Sequence, residues 1–183
     1  MSAFITRYTA LLAMLDRAAP VVLPTLARLV FSAVTLLYFW RAAVTKLGDG
    51  FFGFLSPSSG GYVQIFPRAM EAAGYSTSEL GVFHWAVVVA GTWAEFILPL
   101  LILLGLLTRP AALGMIGFVV VQSLTDLYGH GGIEYIETVG AWFDRLPDGV
   151  VLDQRAFWVL ALLVLVFKGA GPLSLDRLFK SAL

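Results

Sequence analysis

Cysteine is absent from this 183-residue chain, and charge is scarce, with 13% of residues charged against 59% hydrophobic. Without cysteine there is no disulfide, no thiol relay, no Cys-ligated zinc and no thiolate-held iron–sulfur cluster. Any redox role must rest on a bound cofactor or a partner subunit. An ordinary soluble domain carries about 25% charge, so this chain has too few charges to cover a globular surface in water, which argues against a soluble enzyme. The 12 basic and 12 acidic residues cancel, which removes the long-range attraction that nucleic acid or an acidic partner would need. Soluble catalytic signatures are missing too: there is no phosphate loop, His-Glu-x-x-His, Gly-x-Gly-x-x-Gly or elbow serine. No internal repeat stands out.

What is present is apolar length. Crossing about 30 Å of hydrocarbon takes about 20 mostly apolar residues in a helix. Four segments qualify, at about 22–47, 82–107, 110–128 and 156–170. Their apolar runs are continuous rather than alternating, which favours helices over barrel strands. The expected fold is all-α: an integral-membrane antiparallel four-helix bundle with short interfacial helices, one domain over 1–183, with outer loops at 48–81 and 129–155. The lipid bilayer is then its first partner. Ser76 and Glu79 have capping-box spacing ahead of the second span. Thr108 and Pro110 open the third, Asp153 is placed to cap the fourth, and residues 169–172 end it.

Residues 1–20 do not read as a cleaved signal, because Arg7, Asp16 and Arg17 interrupt the apolar residues. Phe4, Tyr8, Leu11 and Leu15 share one helical stripe, which predicts a short interfacial helix, and residues 62–73 predict another that ends at Gly74. Basic residues near span ends set orientation. The N-terminal segment, the short second loop and the C-terminal tail carry Arg7, Arg17, Arg109, Lys168, Arg177 and Lys180. The two long loops carry three basic and eight acidic residues. Both termini are therefore expected in the cytoplasm and both long loops outside, with Trp40, Trp85, Tyr128 and Trp158 as an outer aromatic belt.

Five charged residues remain inside the expected spans: Arg28, Arg41, Lys46, Glu95 and Asp126. Each costs about 2.5–3.5 kcal/mol at a helix centre on insertion scales, so none should face lipid unpaired. Lys46 is placed to snorkel outward, Arg41 lies deeper, and Glu95 sits near the middle of span two. Gly114, Gln122 and Asp126 share one face of span three, and Gly91 and Glu95 share one face of span two. Small residues beside polar ones suit a helix–helix interface, so both faces should point into the bundle. One reading is an outer-side polar pocket lined by Arg41, Lys46, His84, Glu95, Gln122, Asp126 and His130, able to hold a quinone headgroup or small anion. The other is a set of structural pairs, Arg41 with Asp126 among them. A bis-histidine haem on His84 and His130 is disfavoured, because two isolated histidines form no ligand motif, and no metal site is expected. Span four has no polar side chain between Arg155 and Lys168 except the Trp158 indole, and reads as a scaffold or docking surface.

From about Leu26 to its end the chain resembles the DoxX family of small four-helix membrane proteins. The resemblance rests on Arg28, Lys46-Leu47, Glu95 with the following Leu-rich run, the block Leu104-Gly105-Leu106-Leu107-Thr108-Arg109-Pro110, and the tail Gly169-Ala170-Gly171-Pro172-Leu173-Ser174-Leu175-Asp176-Arg177. Arg28, Lys46, Glu95, Arg109 and Asp176 carry over as motif residues. Ala42-Ala43 stands where many relatives have a glycine ahead of the lysine. The resemblance implies a multi-pass protein of the bacterial inner membrane. It also implies a subunit like those of thiosulfate:quinone oxidoreductases or terminal quinol oxidases rather than a stand-alone enzyme, working with other subunits or as a homo-oligomer. The alternative it leaves open is a non-catalytic anchor or assembly subunit, as in relatives linked to redox stress, metal or peptide-product handling.

Overall fold

A computed structural model describes residues 3–182. In chain order the elements are α1 (Ala3–Lys46), α2 (Ser59–Ile65), α3 (Pro67–Ala72), α4 (Val82–Leu104), α5 (Thr108–Leu124), α6 (Ile136–Val139), α7 (Ala156–Lys168) and α8 (Leu175–Ala182). A π-helical turn over Thr125–Gly129 prolongs α5, and another over Val150–Arg155 precedes α7. With those turns, α1, α4, α5 and α7 are long and apolar enough to cross a membrane. They pack in a closed ring, α1 on α4, α4 on α5, α5 on α7 and α7 on α1, which is the expected antiparallel four-helix bundle. In lipid, van der Waals fit rather than hydrophobic burial holds such a bundle. Phe31, Phe39, Ile102, Met115, Val119, Leu162 and Leu165 supply that fit. Phe39 meets Phe118 and Trp158 edge-on, with centroids at 5.7 and 5.9 Å. Trp158, half-buried, thus packs against the core of the bundle.

Several local expectations change. The stripe through Phe4, Tyr8, Leu11 and Leu15 belongs to no separate interfacial helix, because α1 runs unbroken for 44 residues with Pro20 and Pro24 inside it. At about 1.5 Å per residue it is about 66 Å long, twice the hydrocarbon thickness. Proline removes a ladder donor, but transmembrane helices tolerate it where side chains add bonds. Here the Thr25 hydroxyl donates to the Val21 carbonyl at 2.7 Å. Residues 3–18 are exposed and packing begins at Pro24. The segment 62–73 forms two helices, α2 and α3. They pack against α4, with Tyr62, Met70 and Val88 buried together. Ser76 does not cap α4. Its hydroxyl pairs with that of Ser78 at 2.8 Å, a 3₁₀ turn (Thr77–Glu79) intervenes, and Gly81 precedes the helix. Asp153 lies inside the turn that precedes α7 and accepts the Gly149 amide at 2.8 Å.

The end where α4 turns into α5 is locked by residues far away in sequence. Gly105 ends α4 at φ +65°, where a Cβ would lie 2.5 Å from Ser174 Cβ. Thr108 does not cap α5. Asp176 of α8 does, accepting the Leu107 amide at 2.7 Å and the Thr108 amide at 3.0 Å, while its own amide donates to Gly105 O at 2.8 Å. Burial alone would raise the Asp176 carboxyl pKa. The hydrogen bonds from the Thr108 and Leu107 amides and the charge of Lys180 outweigh it and hold the carboxyl below its ordinary value. Arg28 closes the same end, donating to Leu103 O at 2.6 Å and to Leu173 O. Arg109 donates to Phe167 O at 3.3 Å, tying α5 to the end of α7. Arg28, Arg109 and Asp176 are thus fasteners of the turn end.

Candidate functional site

At the other end, α4 and α5 part and leave a cavity of about 520 Å³ between them and α1. A face of α1 reaches it through Tyr38, Ala42 and Lys46, spaced four residues apart. A face of α4 reaches it through Gly91, Glu95 and Leu98, and a face of α5 through Gly114, Gly117, Gln122 and Asp126. Gln64 of α2 and His130 complete the rim. The glycine-bearing faces expected to point into the bundle do so, and they meet.

The Lys46–Glu95 ion pair forms one wall. The Lys46 ammonium donates to both Glu95 carboxylate oxygens at 2.9 Å and to Ala42 O at 3.0 Å. This uses all three of its protons. The two side chains are 6% and 5% exposed. Lys46 therefore does not snorkel outward. The chain doubles back after it and α2 covers it so closely that a Cβ on Gly61 would sit 3.2 Å from Lys46 Cβ. Lys46 turns back along its own helix instead, to the carboxylate in the middle of α4.

A second ion pair stands at the loop end. Asp126 pairs with Arg155 at 2.5 Å, and Arg155 also donates to Ser123 Oγ at 3.0 Å. The expected Arg41–Asp126 pair does not form, because Arg41 lies on the exposed face of α1, outside the cavity lining. Arg155 takes its place, since the helical turn over 150–155 carries this residue into the bundle, where it is 3% exposed. Sequence reading had counted Arg155 as an outer-loop charge.

The Gln122 amide donates to the Tyr38 hydroxyl at 2.9 Å, and its Oε1 is buried without a hydrogen-bond partner. His130 Nε2 lies 3.0 Å from Gln64 O. His84 stands elsewhere, edge-on to Phe66 at 4.8 Å, and does not line the cavity. The structure therefore sets the two histidines on no shared site. Among the described residues, no group of three or more His, Asp or Glu side chains could hold a metal ion. Of the seven pocket residues expected, Lys46, Glu95, Gln122, Asp126 and His130 come together, while Arg41 and His84 do not. Sequence reading missed Tyr38, Gln64 and Arg155. The four-residue spacing of Tyr38, Ala42 and Lys46 was the signal for the first.

Chemically, the cavity joins a polar wall to an apolar side. Gly114 and Gly117 are exposed along α5, so the cavity opens sideways where lipid would lie, and a Cβ on Gly117 would meet nothing within 4 Å. Tyr38 accepts from Gln122 and keeps its own proton to donate. Gln122 Oε1 waits for a donor. A ligand with an apolar body and a polar head that both accepts and donates would satisfy both groups.

The sequence profile of the DoxX family matches residues 23–125, that is 103 of the 183 residues. The match takes in Arg28, Lys46, Glu95 and Arg109 and ends before Asp126 and Asp176. No curated protein and no solved structure matches the chain.

Proposed function

The chain belongs to the DoxX family, and from that premise we propose that it is the quinone-binding membrane subunit of a redox complex, with the cavity at the loop end as the headgroup site. The observation that carries this reading is the buried, unpartnered Gln122 Oε1 beside the Tyr38 hydroxyl, in a cavity open sideways to lipid. A quinone, when bound, takes up two electrons and two protons to become a quinol. Tyr38 donates to a headgroup carbonyl, and Gln122 Oε1 accepts from the hydroxyl that replaces it. The Lys46 ammonium has no free proton for the ligand and its charge is neutralised by Glu95, so the pair presents the headgroup with a polar wall of no net charge. Asp126, 32% exposed, gives the cavity a carboxylate in reach of water for proton exchange. With no cysteine in the chain, the electrons come from a partner protein.

The same reading sets the topology. Moving Arg155 and Asp153 from the loops into the bundle leaves the two long loops with two basic and seven acidic residues, a net of −5. The opposite end keeps six basic and two acidic, a net of +4. By the positive-inside rule the termini face the cytoplasm and the quinone cavity opens in the outer leaflet of a bacterial inner membrane.

The test is to fill the cavity without disturbing the fold. Gly117→Leu projects into open space and replaces a poor helix former, so the melting temperature should hold or rise. Binding of a short-chain quinone analogue should weaken at least about tenfold. If the wild-type protein in nanodiscs binds no quinone, or Gly117→Leu binds it equally well, the site is wrong.

The anchor or assembly reading is favoured by one observation, the exposed start of α1. It extends about 25 Å beyond Pro20 at 1.5 Å per residue and shows Phe4, Tyr8, Leu11 and Leu15 to the outside. Co-purification of a second subunit that is lost on deleting residues 2–18, with quinone binding intact, would assign that segment to assembly.

A further inference from the structure

The turn end holds a second cavity, of about 500 Å³, bounded by the start of α5, the end of α7, α8 and Pro20–Val21 of α1. Four cations line it: Arg109, Lys168, Arg177 and Lys180. Arg177 and Lys180 are three residues apart on α8 and therefore share a face. None of the four is in an ion pair among the described residues, where the two pairs are Lys46–Glu95 and Arg155–Asp126. The one carboxylate in the lining, Asp176, has both oxygens engaged by the Leu107 and Thr108 amides. It offsets one charge, so the cavity keeps a net of +3.

Four cations around one concavity repel each other, and an anion between them reverses the sign of that energy. The place of the cavity selects the anion. Spans α4, α5 and α7 end here, at Leu104, Thr108 and Lys168, which is the depth of lipid headgroups. Its flanks are apolar and open: Val21, Leu107 and Leu173 are 49%, 59% and 72% exposed. We propose that this cavity binds the phosphate headgroup of an anionic membrane phospholipid. The glycerol phosphate sits among the four cations and the acyl chains run along α1 past Val21. A free phosphate carries the same charge but makes no use of the apolar flanks. The site is independent of the quinone reading.

The experiment compares the full-length protein in nanodiscs of phosphatidylcholine alone with nanodiscs that also contain phosphatidylglycerol, reading retained lipid by native mass spectrometry and the melting temperature. Phosphatidylglycerol should be retained preferentially and should raise the melting temperature. The preference should fall roughly 30-fold when Arg109 and Arg177 are both changed to Gln. Arg109 also bonds Phe167 O, so a second variant, Lys168→Gln with Lys180→Gln, removes two ammoniums that hydrogen-bond nothing among the described residues and should lose the preference by a similar factor while folding normally. Changing Arg7 and Arg17 to Gln removes equal charge away from the cavity and should leave the preference in place. Equal retention of both lipids, or a preference that survives both cavity variants, overturns the proposal. So does stabilisation by inorganic phosphate in phosphatidylcholine nanodiscs with none by phosphatidylglycerol, which assigns the cations to a free anion.

Discussion

Removing one partner of the Lys46–Glu95 pair should cost far more than removing both. Each Glu95 oxygen is 2.9 Å from the ammonium, the third proton goes to Ala42 O, and the side chains are 6% and 5% exposed. In Lys46→Met the carboxylate stays in the middle of α4 with no hydrogen-bond donor. An uncompensated buried charge costs about 3–5 kcal/mol, and the price of a single charge at mid-bilayer, about 2.5–3.5 kcal/mol on insertion scales, agrees. Glu95→Leu leaves the opposite charge buried at a similar cost. The double variant, Lys46→Met with Glu95→Leu, buries no charge and keeps similar volume, so it should lie within about 1 kcal/mol of the wild-type protein. The coupling in the cycle is then roughly 5–9 kcal/mol if both single costs are fully realised, and about half that if the lone charge protonates or draws water in. The assay is reversible unfolding of all four proteins in mixed micelles, with quinone-analogue affinity measured on those that fold. Additive effects, or single costs under about 0.5 kcal/mol, would refute the reasoning. The double variant also separates the two roles of the pair. It should fold as well as the wild-type protein yet bind the analogue more weakly, because the polar wall of the cavity is gone.

Asp176→Asn should lower stability by about 1 kcal/mol, read by thermal melts in detergent, because asparagine has one acceptor oxygen for the two amides and turns an NH2 donor toward the other. The Asp176 carboxyl is held below its ordinary value when folded, so the stability it adds is complete above the unfolded pKa of about 3.9. It is lost as pH falls through the lower folded value, and the gap between Asp176→Asn and the wild-type protein should close only below about pH 4. Gly105→Ala should cost about 2 kcal/mol or more in the same melts, since a Cβ there meets a positive φ and lies 2.5 Å from Ser174 Cβ. Arg41→Ala should change quinone affinity by less than twofold and stability by under about 0.5 kcal/mol, because Arg41 is exposed and touches no cavity group. A large loss of binding in that variant would return Arg41 to the site.

The four spans were legible because a period of 3.6 residues and a length of 20 are properties of one segment at a time. So were the inward faces: Gly91 with Glu95, and Gly114 with Gln122 and Asp126, are fixed by spacing on a single helix. Partner choice was not, since it depends on which helix rotation and depth bring two side chains together. Arg41 and Arg155 show the difference. Both lie near the loop end of the membrane, and either could neutralise Asp126 on paper. A π-helical turn over 150–155 decides for Arg155, and nothing in the local sequence announces that turn. Lys46 was misplaced for a related reason, because the lid that keeps it from snorkelling is made by Gly61, fifteen residues on. The continuity of α1 was hidden by Arg7, Asp16 and Arg17, which set the first 20 residues apart from the apolar run that follows, while a single helix passes through both with Pro20 and Pro24 inside it.

The two polar blocks at the turn end make more sense as mates than as a row. The Thr108-Arg109 block and the Asp176 tail look like separate signatures along the chain, yet one supplies the orphan amides of a helix start and the other the carboxylate that takes them. Arg28 joins the same knot through the carbonyls of Leu103 and Leu173. Fastened there, α4 and α5 have their crossing set at one end. Ten residues up α4 from Gly105, at about 1.5 Å per residue, Glu95 lies about 15 Å from the knot, beside the cavity of about 520 Å³ between the two helices and α1. A small change of crossing angle at the turn would shift the cavity walls by an ångström or more, which is enough to spoil a hydrogen bond between Tyr38, Gln122 and a ligand. Arg28 and Asp176 at the turn end therefore fix where the walls of the cavity at the other end begin to separate, while Lys46 and Glu95 hold α1 against α4 beside it.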